Sequence, residues 1–301
     1  MIKSLKVTNY LGESLIMELG SPEKSGFLIY NIEGLGPPKA DINKTEVAVL
    51  DGSFFNSSRA TSRNIRLSLI FLEFPTIEKI RLQSYKYFPI KKQITLELET
   101  DERNAIVNGY IESNEPVIFS KQQGTVISVV STDSYFYEKN DVINVFGSLT
   151  SLFQFPFSNE STVSNLINFG NIILEPTKNI IYEGDASVGI VFIIHALGAA
   201  TNIEIEKVIT NQTISINTTI LASIVGSGIQ SGDDIIISTV IGEKYAVLIR
   251  SDVEYNILNA IGKHPEWFVL EKGDNLFTYS AETGLTNLQF TTQNRVVYEG
   301  V

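Results

Sequence analysis

The sequence points to a mainly β protein made of two sandwich-type domains, and three features of it say so. Apolar residues alternate with polar ones at period two over most of the chain, as in "NIRLSLIFL", where Ile65, Leu67, Leu69 and Phe71 share a face. Short apolar segments in the second half are parted by turn signals at roughly 8–12-residue spacing, the rhythm of an all-β sandwich. Charge also divides the chain: residues 1–140 hold 16 Lys and Arg against 17 Asp and Glu, whereas residues 141–301 hold 7 against 17. With 301 residues, 43% of them hydrophobic and 19% charged, the composition is that of a folded protein rather than a disordered one. Domains are expected at 1–140 and 173–301, joined by a connector at 141–172.

From the start, "MIKSLKVTNY" lacks the apolar core of a secretion signal, and there is no cysteine. Synthesis and residence in a reducing compartment are expected, and disulfides, Cys-based zinc sites and thiol catalysis are excluded. Next comes "LDGSFFNSSRATSR" (50–63), a polar Gly/Ser/Asn-rich loop with an adjacent Phe54–Phe55 pair, leading into the strand from Ile65. "FPTIEKIRLQSYKYFP" reads as the one helix of this half, about 75–88. Pro75 suits its first turn, Pro89 lies just past its end, and Ile77, Ile80, Ser84 and Tyr87/Phe88 form a stripe that covers a sheet. "QITLELET" puts Ile94, Leu96 and Leu98 on one face, and "GTVISVVSTDSYFY" continues the strand pattern with β-branched residues.

The connector holds "LFQFPFSNESTVSNLINFGN", with Pro156 between two Phe residues and little periodicity. Beyond it, "TNIEIEKVI", "TISINTTI", "DDIIISTV" and "KYAVLIR" read as strands, and no internal repeat is present. The longest nearly apolar run, "VGIVFIIHALGAA" (188–200), is shorter than the roughly 20 residues a membrane helix needs and reads as a buried strand and its turn. Without a secretion signal, the Asn-x-Ser/Thr sites at Asn43, Asn56, Asn159, Asn211 and Asn217 read as turn asparagines.

No catalytic or cofactor motif emerges, and no enzyme, cofactor or metal is expected. "VGSGIQSGDD" (225–234) has glycines, but not at dinucleotide-binding spacing and with a strand after it, so it reads as a hairpin turn. Asp233 and Asp234 are neighbours on an extended segment and point apart, so they read as polar turn residues rather than a carboxylate pair. The two histidines, His195 and His264, lack metal-ligand spacing and a nucleophile elbow. Trp267 suits a core anchor, with sugar stacking as the alternative. No basic stripe offers phosphate contacts, which disfavours specific nucleic-acid binding. The Phe54–Phe55 pair is different. On an extended segment only one of them turns toward the chain's own core, so the other wants a second surface, unless the loop curls and buries both.

These residues together resemble the distal tail protein (Dit) family of long-tailed bacteriophages. The likeness runs through Asp51–Gly52, the strand from Ile65, the helix, and "STDSYFYE", where Asp133, Tyr135 and Phe136 match an Asp-Pro-Tyr-Phe pattern with Ser134 in place of Pro. It continues through "FQFPF" (153–157), "NFGN", Pro176, "SGDDIIISTVIGE" (231–243), "FVLEKGDNLFTYSAETG" (268–284) and the "VVYEGV" ending. The resemblance implies a non-enzymatic hexameric ring that joins the end of the tail tube to the baseplate or tip. The first domain builds the ring, and a galectin-like second domain carries receptor-binding or other baseplate proteins. A tail-associated hub or lysin protein docks below, DNA only passes through, and no membrane is entered. The protein would sit at the distal end of the virion tail after synthesis in the host cytoplasm. The alternative function is a carbohydrate-binding module for host cell-wall glycans.

In such a ring the loop with Phe54, Phe55, Arg59 and Arg63 supplies the apolar anchor and charged rim of a subunit or tube contact. Glu97, Glu99, Asp101 and Glu102 are candidates to face the channel. Because residues 1–140 are nearly neutral, the total charge of −11 gives no support to an acidic lumen.

Overall fold

A computed structural model describes residues 1–46, 51–73, 76–151, 170–173, 175–262 and 265–301. Pro75, Pro156, Asn159, His264 and the FQFPF stretch lie outside them. The chain forms two compact units: Met1–Asn140 together with Val297–Val301, and Asp141–Val296. The second unit is therefore an insertion in the first. The 141–172 connector is corrected in part, because Val142–Phe146 is a strand of the second unit's own sheet.

In the first unit, β1 (Ser4–Thr8), β2 (Ser14–Glu18) and β3 (Phe27–Glu33) precede a separate pair, β4 (Ala40–Glu46) and β5 (Ser53–Ala60). Then come β6 (Arg63–Phe71), α1 (Ile77–Tyr87), β7 (Gln93–Glu99), β8 (Asn104–Val117), β9 (Gly124–Ser131) and β10 (Phe136–Glu138). The main sheet runs β2-β1-β7-β8-β9-β6-β3. β8 pairs with β7 through its first half and with β9 through its second, with a bulge between Ile111 and Ser113. Period-two alternation sends Leu5, Val7, Ile65, Leu67, Leu69, Ile94, Leu96, Leu98, Ile127 and Val129 into one core.

Helix α1 starts behind Thr76, whose side chain accepts from the Lys79 N–H at 3.3 Å, and it buries Ile80 and Ser84. Phe88 follows them into the core. Gly26, at φ +79°, is where the helix comes closest: a Cβ there would collide with Ile80 Cδ1.

The second unit begins with β11 (Val142–Phe146) and a pair of strands, β12 (Ser148–Ser151) and β13 (Gly170–Ile173). It continues with β14 (Thr177–Tyr182), β15 (Val188–Gly189), β16 (Val191–Ala196), β17 (Thr201–Lys207), β18 (Gln212–Ile216), α2 (Thr218–Val225) and β19 (Asp234–Ser238). β20 (Tyr245–Arg250), β21 (Val253–Asn256), β22 (Val269–Leu270), β23 (Gly273–Thr283) and β24 (Leu288–Asn294) complete it. A six-stranded sheet, β11-β24-β16-β19-β20-β21, and a four-stranded one, β14-β23-β17-β18, share a core in which Phe192, Phe268 and Phe277 pack edge to face at 5.5–5.8 Å.

α2 corrects the strand expected over "TISINTTI". Asn217 stops β18 and caps a helix by accepting from the Thr219 and Ile220 N–H groups, and Gly226 closes that helix at φ 88°. The chain then returns to the first unit, where β25 (Val297–Tyr298) pairs with β10.

Candidate functional site: an exposed β arm

β4 and β5 form a sheet of their own. Among the described residues of these strands, every one is exposed except Ala60, which is half-buried. Register sets their faces. Lys44 stands opposite Phe55, Ile42 opposite Ser58 and Ala40 opposite Ala60, while Thr45 opposes Phe54 and Asp41 opposes Arg59. One face thus carries Ala40, Ile42, Phe55 and Ala60, and the other carries Phe54 among polar groups. The two Phe side chains point apart, as expected of neighbours on a strand, but neither enters a core: Phe54 is 58% exposed and Phe55 68%. Ile42 joins them at 59%. A β ribbon that keeps three large apolar side chains in water has no hydrophobic reason to be ordered alone.

Arg59 closes the polar face with a forked contact to Asp41, Nε and Nη2 standing 3.2 and 3.1 Å from Oδ2. Arg63 does not belong to this surface and is corrected. It is 4% exposed, in phase with Ile65 and Leu67, and its guanidinium donates to the carbonyls of Gly34, Gly36, Ser134 and Glu299 at 2.6–3.2 Å. It also lies 4.2 Å over the Phe136 ring, and burial lowers its pKa. Its role is to tie the segment after β3 and the segment before β10 to the C-terminal residues.

Of the four acids at 97–102, Glu97 and Asp101 are ion-paired. Glu97 lies between Lys6, at 3.3 Å, and Lys139. Burial pushes its pKa up, yet the hydrogen bonds from Lys139 and Lys6 outweigh that and hold it below the usual carboxylate value. Asp101 binds the N-terminal amine and Lys3, and both lower its pKa. Glu99 accepts from Ser4 Oγ at 2.9 Å, and Glu102 is exposed.

Elsewhere the polar motifs resolve into structural roles. Residues 225–234 link a helix to a strand, which corrects the hairpin expected there. Asp233 is 1% exposed and accepts from Arg250 Nε at 2.7 Å, while Arg250 also donates to Ser227 Oγ and the Gly228 carbonyl. Asp234 points the other way, to His195 Nδ1 at 2.7 Å. Trp267 packs against the second core with Lys244 Nζ 5.5 Å from its ring, so that ring face is occupied. No group of three or more metal-ligating residues occurs among the described residues, and no helix in them is long and apolar enough to cross a membrane.

Two exposed apolar features escaped the sequence pattern. Ile42 sits alone among polar residues in "ADINKTE", and only its pairing with β5 groups it with Phe55. Phe119, 101% exposed, tops the β8–β9 hairpin beside Val117 and Ile118. The signal there was an apolar triplet running straight into the polar turn "SKQQG".

Among solved structures the chain is similar to the SPP1 Dit (gp 19.1) protein, described as a paradigm of the hub adsorption apparatus in Gram-positive infecting phages. The TM-score is 0.65 at 11% identity, covering 98% of this chain and 99% of that one. The chain has the Dit fold. Likeness to the phage P2 baseplate in its activated conformation with Ca is weaker, with a TM-score of 0.46 at 11% identity over the full length of both chains. No protein-family model matches the chain, and no curated protein does. The likeness covers 98% of this chain and so takes in residues of both units.

Proposed function

We propose that this chain is a structural tail-hub protein: six copies form a ring that joins the end of a phage tail tube to the baseplate or tip. The observation that carries it is the β4–β5 arm, whose Ile42, Phe54 and Phe55 are uncovered in a chain that has the Dit fold from end to end. Arms of this kind pay for their exposed surface by packing on another subunit, and a closed ring provides such a contact to every copy. The tube, the hub or lysin protein and receptor-binding proteins are the partners of this role, at the distal end of the virion tail. Host cytoplasm is the place of synthesis, and no catalysis is involved. The channel wall, on this reading, gains little negative charge from Glu97 and Asp101, which are ion-paired. A glycan-binding role is less well supported, because the single Trp is half-buried against the core and has Lys244 over its ring.

Light scattering on the purified chain, with negative-stain imaging of the peak, tests the ring. Six chains of 33.4 kDa give about 200 kDa and a central hole. Phe54→Ala with Phe55→Ala should weaken assembly by roughly 30-fold or more, the loss expected of a hot spot. Unchanged assembly in that double variant would remove the arm from the interface.

A further inference from the structure

The arm's apolar face needs a seat, and the first unit offers a surface that matches it. Building on the ring proposed above, we infer that the Ile42–Phe55 face of one copy's arm docks on the outer face of α1 and the neighbouring β1–β2 turn of the next copy.

α1 turns Ile80 and Ser84 inward, which leaves Lys79, Leu82, Tyr85 and Lys86 outward, and Leu82 and Tyr85 are exposed. The loop that leaves the helix adds exposed Ile90, Lys91 and Lys92. The β1–β2 turn is fastened to this end of the helix. Asn9 Nδ2 donates to the Lys86 carbonyl at 3.2 Å, Lys86 pairs with Glu13 at 2.7 Å, and Lys92 Nζ stands 5.2 Å from the Tyr10 ring. Tyr10 and Leu11, both exposed, therefore extend the same patch.

Charge selects the occupant. Residues 76–92 carry five cations and one carboxylate in a chain of net charge −11, and Lys79, Lys91 and Lys92 have no ion pair among the described residues. Residues 40–60 carry three carboxylates and two cations. Both of those cations are used within the arm, Arg59 on Asp41 and Lys44 on Glu46 at 3.5 Å, and the exposed Asp51 has no ion pair among the described residues. An apolar, mildly acidic ribbon fits an apolar, basic helix face. The two patches differ, so each copy gives one contact and receives another, the head-to-tail arrangement that closes a ring.

The absence of native cysteine makes the test direct. Phe55→Cys and Leu82→Cys are placed in one chain, and a short bis-maleimide is added to the assembled protein, with each single-Cys variant as control. The expected result is a covalent ladder up to the closed ring in the double variant and nothing beyond a dimer in the controls. Reversing Lys91 and Lys92 to Glu should raise the concentration needed for assembly by about tenfold, and Asp51→Lys should recover part of that loss. A ring by light scattering with no ladder would place the arm on some other surface and overturn the seat while leaving the ring. A 33.4 kDa monomer with no ladder at any concentration would overturn both.

Discussion

Arg63 shows how a side chain can be misplaced by its neighbours in sequence. Standing four residues from Arg59, it looked like part of the same charged rim. The phase of the strand said otherwise: Arg63, Ile65, Leu67 and Leu69 share a face, and the pattern already apparent at Ile65 extends back to it. No carboxylate meets the buried guanidinium in the described contacts; four backbone carbonyls do. Arg63→Ala should cost about 3 kcal/mol in denaturant unfolding, since it strips charge-assisted donors from buried acceptors, and Arg63→Lys should recover only part. Arg59→Ala, on the exposed arm, should change stability by less than about 0.5 kcal/mol. Equal losses at the two positions would contradict the burial described for Arg63.

Glu97 gives a pH signature at the same scale. Its folded pKa is depressed, so its contribution to stability is present above the unfolded value near 4.5 and fades as pH falls through the lower folded value. Unfolding curves taken from pH 6 down to pH 3 should show less acid sensitivity in Glu97→Gln than in the parent. Parallel curves would mean that Lys6 and Lys139 do not hold the carboxylate in solution.

Among the elements, those with strong period-two patterning were legible before the structure, and the ones set by a single cap or by pairing were not. β6, β7 and β9 follow from their alternation. α2 does not, because its eight residues are apolar on most sides and only Asn217 and Gly226 mark its limits. The arm lies between these cases. Phe54–Phe55 could be recognised as apolar groups seeking a surface, but β4 has one large apolar residue and no core face, so nothing in its own pattern predicted a strand.

β11 is another element set by pairing. Asn144 stands opposite Thr292 on the inward face, Asn294 follows two residues on, and Asn144 Nδ2, Thr292 Oγ1 and Asn294 Oδ1 are buried with no hydrogen-bond partner among the described residues. Tyr279 Oη, on the facing sheet, is in the same condition, and burial raises its pKa. Replacing Thr292 by Val removes an unsatisfied hydroxyl at nearly constant shape and should stabilise the second unit by about 1 kcal/mol. A loss of similar size would instead identify an ordered water bridging these groups.

At the scale of the whole molecule, the charge contrast and the turn rhythm foretold two units, while the path of the chain between them was hidden in the last five residues. "VVYEGV" looked like a family ending, and its physical work is to return to the first unit. Tyr298 pairs with Phe136, its hydroxyl donates to Glu138 at 2.6 Å, Arg103 lies 4.3 Å over its ring, and the Val301 N–H donates to the Leu35 carbonyl at 3.0 Å. Because Tyr137 and Val297 are antiparallel partners, the strands that flank the insertion are already those of a hairpin. Residues 141–296 can therefore be replaced by a short Gly-containing turn without stretching the first unit. That minimal chain keeps β25, the carbonyl that Glu299 offers to Arg63, the arm and α1. It should unfold in one cooperative transition and assemble to the same number of copies as the full chain by light scattering. A folded monomer would assign assembly to the inserted unit and remove the arm from its role. Failure to fold would show that the first unit depends on its insertion, and a second variant with 297–301 also deleted should then be no worse. If the hairpin forms as expected, that further deletion lowers the melting temperature by several degrees, because it leaves Arg63 and Arg103 without their C-terminal acceptors.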